Sequence, residues 1–133
     1  MTIRTMAILA AAATLMACAA TESVPEQTVE ERAQERWDLL IANDQIAAWE
    51  YHSPGYREMT SAQDFAQEVR RRPVRYMDAR VKSADCEQDR CTVTTAITYR
   101  VPGGPTGINQ MRMTRDIDEQ WLRLDGQWWF SSN

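Results

Sequence analysis

Residues 92–101 read Thr92-Val93-Thr94-Thr95-Ala96-Ile97-Thr98-Tyr99-Arg100-Val101, and their period decides the fold class. Val93, Ile97, Tyr99 and Val101 alternate with Thr92, Thr94, Thr98 and Arg100, so one face is apolar and the other polar. A β-branched and aromatic run of period two reads as a half-buried strand. The period holds on both sides. Upstream, Met77, Ala79 and Val81 alternate with Asp78, Arg80 and Lys82; downstream, a strand beginning at Met111 and Met113 continues to Leu124. Taken straight, residues 109–124 reach about 50 Å at 3.3 Å per residue. A compact domain of this size is only about 35 Å across. The strand is therefore expected to bend or break, with a bulge where the apolar phase slips between Trp121 and Leu122. Asp125-Gly126 is a two-residue hairpin signal, and Gln127-Trp128-Trp129-Phe130 returns as the last strand. The segment from Pro102 to Gly107 is too dense in glycine and proline for regular structure.

Before Pro73 the period is 3.6. Thr28 and Glu31 fit a capping box. Val29, Ala33, Trp37, Leu40 and Ile41 follow at helical spacing, with Glu30, Arg32, Glu35 and Arg36 elsewhere on the wheel, in a helix ending near Asn43. Asp44 caps a shorter helix carrying Ile46, Ala47, Ala48 and Trp49, and Ser53-Pro54-Gly55 stops it. Tyr56-Arg57 follow in a turn or a single helical loop. Ser61 with Asp64 opens a further helix with Ala62, Phe65, Ala66 and Val69 on its apolar face. Helices first and then about four antiparallel strands is an α+β pattern, with N-terminal helices packed on a curved sheet.

The chain has 133 residues and a formal charge of −4. An acidic balance argues against nucleic acid as a partner. Arg70-Arg71-Arg72 is the one basic run and reads as a solvated helix end. His52, the single histidine, lacks the companions of a His-based metal site, and no metal or cofactor is expected. Its place before Ser53-Pro54 suggests a surface or helix-end position.

At the N-terminus, Arg4 precedes an apolar run over residues 6–16, which ends in Leu15-Met16-Ala17-Cys18. The run is shorter than the roughly 20 residues a membrane span needs. It reads as a cleaved export signal, with a short buried helix as the alternative. The four-residue end resembles the lipobox of bacterial lipoproteins. By that resemblance residues 1–17 are removed, Cys18 carries diacylglycerol and an N-acyl chain such as palmitate, residues 18–27 form a tether and residues 28–133 the domain. Ala19 is not the acidic residue that retains lipoproteins at an inner membrane, which implies the periplasmic face of an outer membrane in a Gram-negative cell; in a Gram-positive host the anchor would be the plasma membrane. A plain secretory signal is the alternative. For an exported chain the remaining pair, Cys86 and Cys91, reads as a disulfide across a hairpin turn.

Two further stretches carry a fold-level resemblance. Residues 43–57, from Asn43-Asp44-Gln45 through Ser53-Pro54-Gly55-Tyr56-Arg57, and residues 121–128, with Asp125-Gly126-Gln127-Trp128, resemble segments of the nuclear transport factor 2-like superfamily, which includes ketosteroid isomerases. The resemblance implies a cone or cystatin-like roll enclosing a pocket; an unrelated helix-on-sheet fold is the alternative. The pocket candidates are Trp49, Tyr51, Tyr56, Tyr99, Glu119 and Trp121, with Arg57 and His52 as further polar members, unless the aromatics simply fill the core. Asp116, Asp118 and Glu119 could supply a base, but Asp118 and Glu119 point to opposite faces of one strand. No catalytic residue of the superfamily matches closely enough to carry over. Two functional expectations follow. One is a membrane-anchored envelope lipoprotein whose domain binds a protein partner or a small apolar ligand without catalysis. The other is a small isomerase or dehydratase using an inward carboxylate and a tyrosine.

Overall fold

The structure is a computed structural model and describes residues 26–103 and 110–132. The lipobox with Cys18, the expected signal, most of the tether and all but the start of the loop from Pro102 to Gly107 lie outside the described residues. Four helices precede four strands: α1 (Val29–Ile41), α2 (Gln45–Trp49), α3 (Pro54–Met59), α4 (Ala62–Arg71), β1 (Arg75–Glu87), β2 (Arg90–Pro102), β3 (Gln110–Leu124) and β4 (Gln127–Ser131). The strands form one antiparallel sheet in the order β1-β2-β3-β4. Among the described residues no helix is long and apolar enough to cross a membrane.

Each helix starts where its side chains satisfy the orphan backbone donors. Thr28 Oγ1 accepts from the Glu31 amide at 3.2 Å while Glu31 Oε2 accepts from the Thr28 amide at 2.8 Å. Asp44 and Ser61 cap α2 and α4 in the same manner. Ser53-Pro54-Gly55, expected only to end a helix, instead begins α3: Ser53 is its N-cap and Pro54 occupies the first turn. Proline lacks the amide that would be unsatisfied there, which is why it suits that place. On α1 the buried stripe is Val29, Ala33, Trp37 and Leu40, joined by Arg32 and Arg36.

Alternation along β2 puts Cys91, Val93, Thr95, Ile97 and Tyr99 on the helix-bearing face. Two core clusters form over it. One joins Trp37, Leu40, Phe65, Ile97 and Tyr99; the other joins Val29, Ala33, Val93, Trp121 and Trp128. The β3–β4 turn has Asp125 at φ 51° and Gly126 at φ 78°. Two successive left-handed residues make the hairpin turn that matches strand twist.

The cone or cystatin-like roll expected from the sequence is corrected by these strands. β3 keeps register with β2 from Gln110 to Leu122, with no bulge between Trp121 and Leu122. The apparent slip in phase arises because Leu122 and Leu124 are apolar residues on the outer face, Leu124 being 43 % exposed. The register shifts fall instead in the edge strand β1, between Tyr76 and Asp78 and between Val81 and Ser83. Residues 110–116 are exposed along their whole length. The start of β3 therefore runs on beyond the part of the sheet that the helices cover, while its partners Ile97 and Tyr99 on β2 still pack in the core; two of the helices have only five and six residues. Pairing with β2 satisfies one row of backbone groups along this part of β3 without a core beneath it, so β3 has no need to bend to stay under the helices.

Cys86 and Cys91 face each other across the β1–β2 turn as a disulfide, with Cα atoms 4.0 Å apart. The bridge closes a small loop, so its expected contribution is about 2 kcal/mol on a chain-entropy basis. A Cys86→Ser/Cys91→Ser variant should lose about that amount in urea unfolding while keeping its sheet signal in circular dichroism.

Candidate functional site

A cleft of about 630 Å3 opens between α1, α4 and the β3–β4 end of the sheet. Two buried charges line it, Arg36 of α1 and Glu119 on the inward phase of β3. Glu119 Oε1 accepts from Arg36 Nη1 at 2.9 Å and Oε2 accepts from Trp37 Nε1 at 2.8 Å. Both partners sit on consecutive residues of α1, so one carboxylate ties that helix to the sheet at two points. Burial pulls the Arg36 guanidinium below its ordinary pKa, and Glu119 opposes that shift. Arg36 also lies over the Phe130 ring, 3.7 Å from its centroid.

Beside this pair stands His52, only 1 % exposed. Its ring stacks on Tyr56 with centroids 4.4 Å apart and meets the edges of Phe65 and Phe130. His52 Nδ1 lies 3.2 Å from the Trp49 carbonyl. A carbonyl only accepts, so Nδ1 carries the proton and Nε2 keeps the lone pair. Burial, then the charge of Arg36, lower the His52 pKa to about 4, so the ring is neutral at neutral pH. At the mouth, Glu68 and Arg72 form an exposed pair at 2.6 Å, and Tyr76 packs edge-on to Trp37.

Of the pocket candidates read from the sequence, the cleft brings together Glu119 and Tyr56. Trp121 is fully buried against Phe130, and Tyr99 belongs to the core under Trp37. Trp49 and Tyr51 point away from the cleft into a second arrangement. There the Arg57 guanidinium lies 5.6 Å from the Trp49 ring and 4.9 Å from Trp129, while Arg32 lies 5.3 Å from Trp129 and 4.6 Å from Tyr51. Tyr51 also donates to Glu35 at 2.9 Å. Asp118 borders the cleft while its carboxylate accepts from Thr94 Oγ1, and Asp116 pairs with Lys82.

His52 was expected at the surface and is instead among the most buried side chains. The reason lies in the segment Tyr51-His52-Ser53, which lies parallel to β4. The Phe130 amide donates to the Tyr51 carbonyl at 2.8 Å and the Ser53 amide donates to the Phe130 carbonyl at 3.1 Å, which turns His52 inward. Arg36, missed as a site residue, was detectable in principle: a carboxylate on the inward phase of a strand needs a cation facing it. Among the described residues no group of three or more His, Cys, Asp or Glu could hold a metal ion.

With both oxygens of Glu119 accepting and its charge matched by Arg36, the carboxylate is suited to structure rather than to proton abstraction. His52 offers one acceptor nitrogen in an aromatic setting. The arrangement can hold an amphipathic molecule against aromatic walls.

No family model matches the chain, and no curated protein matches it. Among solved structures, the solution structure of a SEC-C motif containing protein from Rhodopseudomonas palustris is similar to it, with a TM-score of 0.60 and 19 % identity over 79 % of this chain and 76 % of that one. This likeness is one of fold, and it replaces the cone or cystatin-like roll as the structural neighbourhood of the chain.

Two outcomes follow. Glu119→Gln leaves Arg36 buried beside a neutral amide and should cost about 3–5 kcal/mol in urea unfolding, with Arg36→Met/Glu119→Leu recovering most of it. For His52 the unfolded pKa of about 6.5 lies above the folded value. Its stabilising contribution is therefore complete above pH 6.5 and declines as pH falls towards 4, by about 3 kcal/mol in all. His52→Phe should flatten that part of the stability–pH curve.

Proposed function

We propose that the chain is an envelope lipoprotein whose domain binds a small amphipathic ligand without transforming it. In this reading residues 1–17 are an export signal, Cys18 carries the lipid, residues 18–27 are the tether, and residues 28–133 present the cleft, at the periplasmic face of an outer membrane. The anchor rests on Leu15-Met16-Ala17-Cys18 and the apolar run before it. Several acyl chains at about 0.8 kcal/mol per buried methylene hold such a chain stably.

The binding half rests on one observation, a cleft of about 630 Å3 lined by Trp37, Tyr56, Phe65, Phe130 and Val69 with His52 as an inner polar point. That size falls in the range of small-molecule sites, and the charged and polar residues that share the lining, Arg36, Glu68, Arg72, Asp118, Glu119 and Gln120, suit an amphipathic rather than a wholly apolar ligand. Binding is favoured over turnover by the chemistry of the candidate bases at the cleft, of which Asp118 is held by Thr94 Oγ1. Glu119 is engaged by Arg36 and Trp37, and a histidine with a pKa of about 4 is a poor base at neutral pH.

Cys18→Ser should abolish lipid labelling and move the protein out of the membrane fraction; unchanged fractionation would reject the anchor. For the cleft, 1-aminoanthracene added to the full chain should show a saturable rise in fluorescence. Val69→Trp, which fills the cleft, should weaken that binding at least tenfold, whereas Leu124→Trp on the outer face should not. Equal binding by the Val69→Trp variant would remove the cleft as the site.

A further inference from the structure

The last strand covers only part of its neighbour. β4 pairs with Gln120–Leu124 of β3, so the stretch from Gln110 to Glu119 has β2 on one side and, among the described residues, no strand on the other. Folded chains keep such an edge from pairing with bulges, proline or lysine. β1, the other long edge, has two register shifts. The open stretch of β3 keeps unbroken register with β2 and contains no proline, lysine or glycine. It is a straight row of backbone donors and acceptors awaiting another strand.

The side chains select the occupant. The stretch reads Gln110-Met111-Arg112-Met113-Thr114-Arg115-Asp116-Ile117-Asp118. Two copies laid antiparallel about Thr114 set Arg112 opposite Asp116 at two symmetric places on the outer face. Opposite charges facing each other across strands stabilise a sheet. Among the described residues Arg112 takes part in no ion pair. Asp116 receives Lys82 on Oδ2, which leaves Oδ1 for the arginine of the second copy. On the helix-bearing face Met111, 38 % exposed, comes opposite Ile117. Arg115, 5.7 Å from the Tyr99 ring, comes opposite Met113. Other alignments lose this match. Centred on Arg115 or on Asp116, the strands set that charge against itself; centred on Met113, they set Arg112 against Thr114. A parallel alignment in register opposes every charge to its own kind.

We propose that two copies of the chain pair through β3, antiparallel about Thr114, and join their sheets into one. Alternate opposed residues exchange two main-chain bonds each, so Gln110–Asp118 on both copies supply about eight to ten. A typical protein interface carries about ten. Ile117 lines the cleft, so Met111 of the second copy stands at its rim. The pairing itself needs neither a bound ligand nor the lipid.

The test follows the full chain in mild detergent by sedimentation velocity over a dilution series. The parent should dimerise. Arg112→Glu and Asp116→Lys each oppose like charges at both symmetric places and should each weaken the dimer by about tenfold or more. Mixing the two variants should restore it, because Glu then faces Lys and Asp faces Arg. Mild oxidation should join two Thr114→Cys chains, since directly opposed residues in a sheet lie within disulfide reach. Met111→Cys, placed far from its own symmetry mate, should not cross-link. A monomeric parent would leave the edge to a different chain and overturn the proposal. So would a dimer indifferent to both charge reversals, a mixture that stays monomeric, or cross-linking at Met111→Cys in place of Thr114→Cys.

Discussion

The contact on which the rest depends is the buried carboxylate of Glu119 held by Arg36 and Trp37. It joins the first helix to the third strand across more than eighty residues of chain, and it does so with directional bonds in a place where water is scarce. Such a pair gains little over a hydrophobic substitute, because desolvation consumes most of its attraction. What it supplies is a definite seat for α1, since a helix shifted by one turn leaves both charges unmatched. The apolar stripe of Val29, Ala33, Trp37 and Leu40 could slide over a flat sheet at small cost; the ion pair cannot.

The cleft exists because of that seat. With α1 lying chiefly on β1 and tied to β3 by this pair, α4 packs mainly on α2 and the core around Phe65, leaving space between it and the sheet's β3–β4 end. His52 enters this space because β4 takes the segment Tyr51-His52-Ser53 as a short parallel neighbour. The aromatic and cationic side chains then divide between two places. Arg36 and Phe130 face the cleft, and Arg32, Arg57, Trp49, Trp129 and Tyr51 alternate outside it.

Much of the order was legible in the residues. Three of the four helix caps and the Asp125-Gly126 turn announce themselves, because each is a local contest between a side chain and its own backbone. The alternation of β2 is equally plain. The path of β3 was not: its length suggested a bend, yet the phase that seemed to slip reflected Leu122 and Leu124 on a solvent-facing side. The bulges of β1 left no comparable mark. Of the site, Glu119 and Tyr56 were within reach, since inward phase and aromatic character are local. Arg36 becomes legible only once Glu119 is placed inward, and the depth at which His52, named among the polar pocket members, is buried is decided by β4, far away in sequence. Trp49 and Tyr51 were drawn into the list by aromaticity alone, which does not say on which side of a sheet edge a ring will lie.

The segment laid along β4 has one more effect. Phe130 exchanges its backbone bonds with Tyr51 and Ser53, so the short strand β4 offers few open donors or acceptors to a stranger. The opposite margin, β1, changes register twice along its length. A second chain aligning there meets an interrupted ladder and gains only short runs of pairing. Among the described residues, the edge left open to a second chain is Gln110–Glu119 of β3, which β4 does not reach.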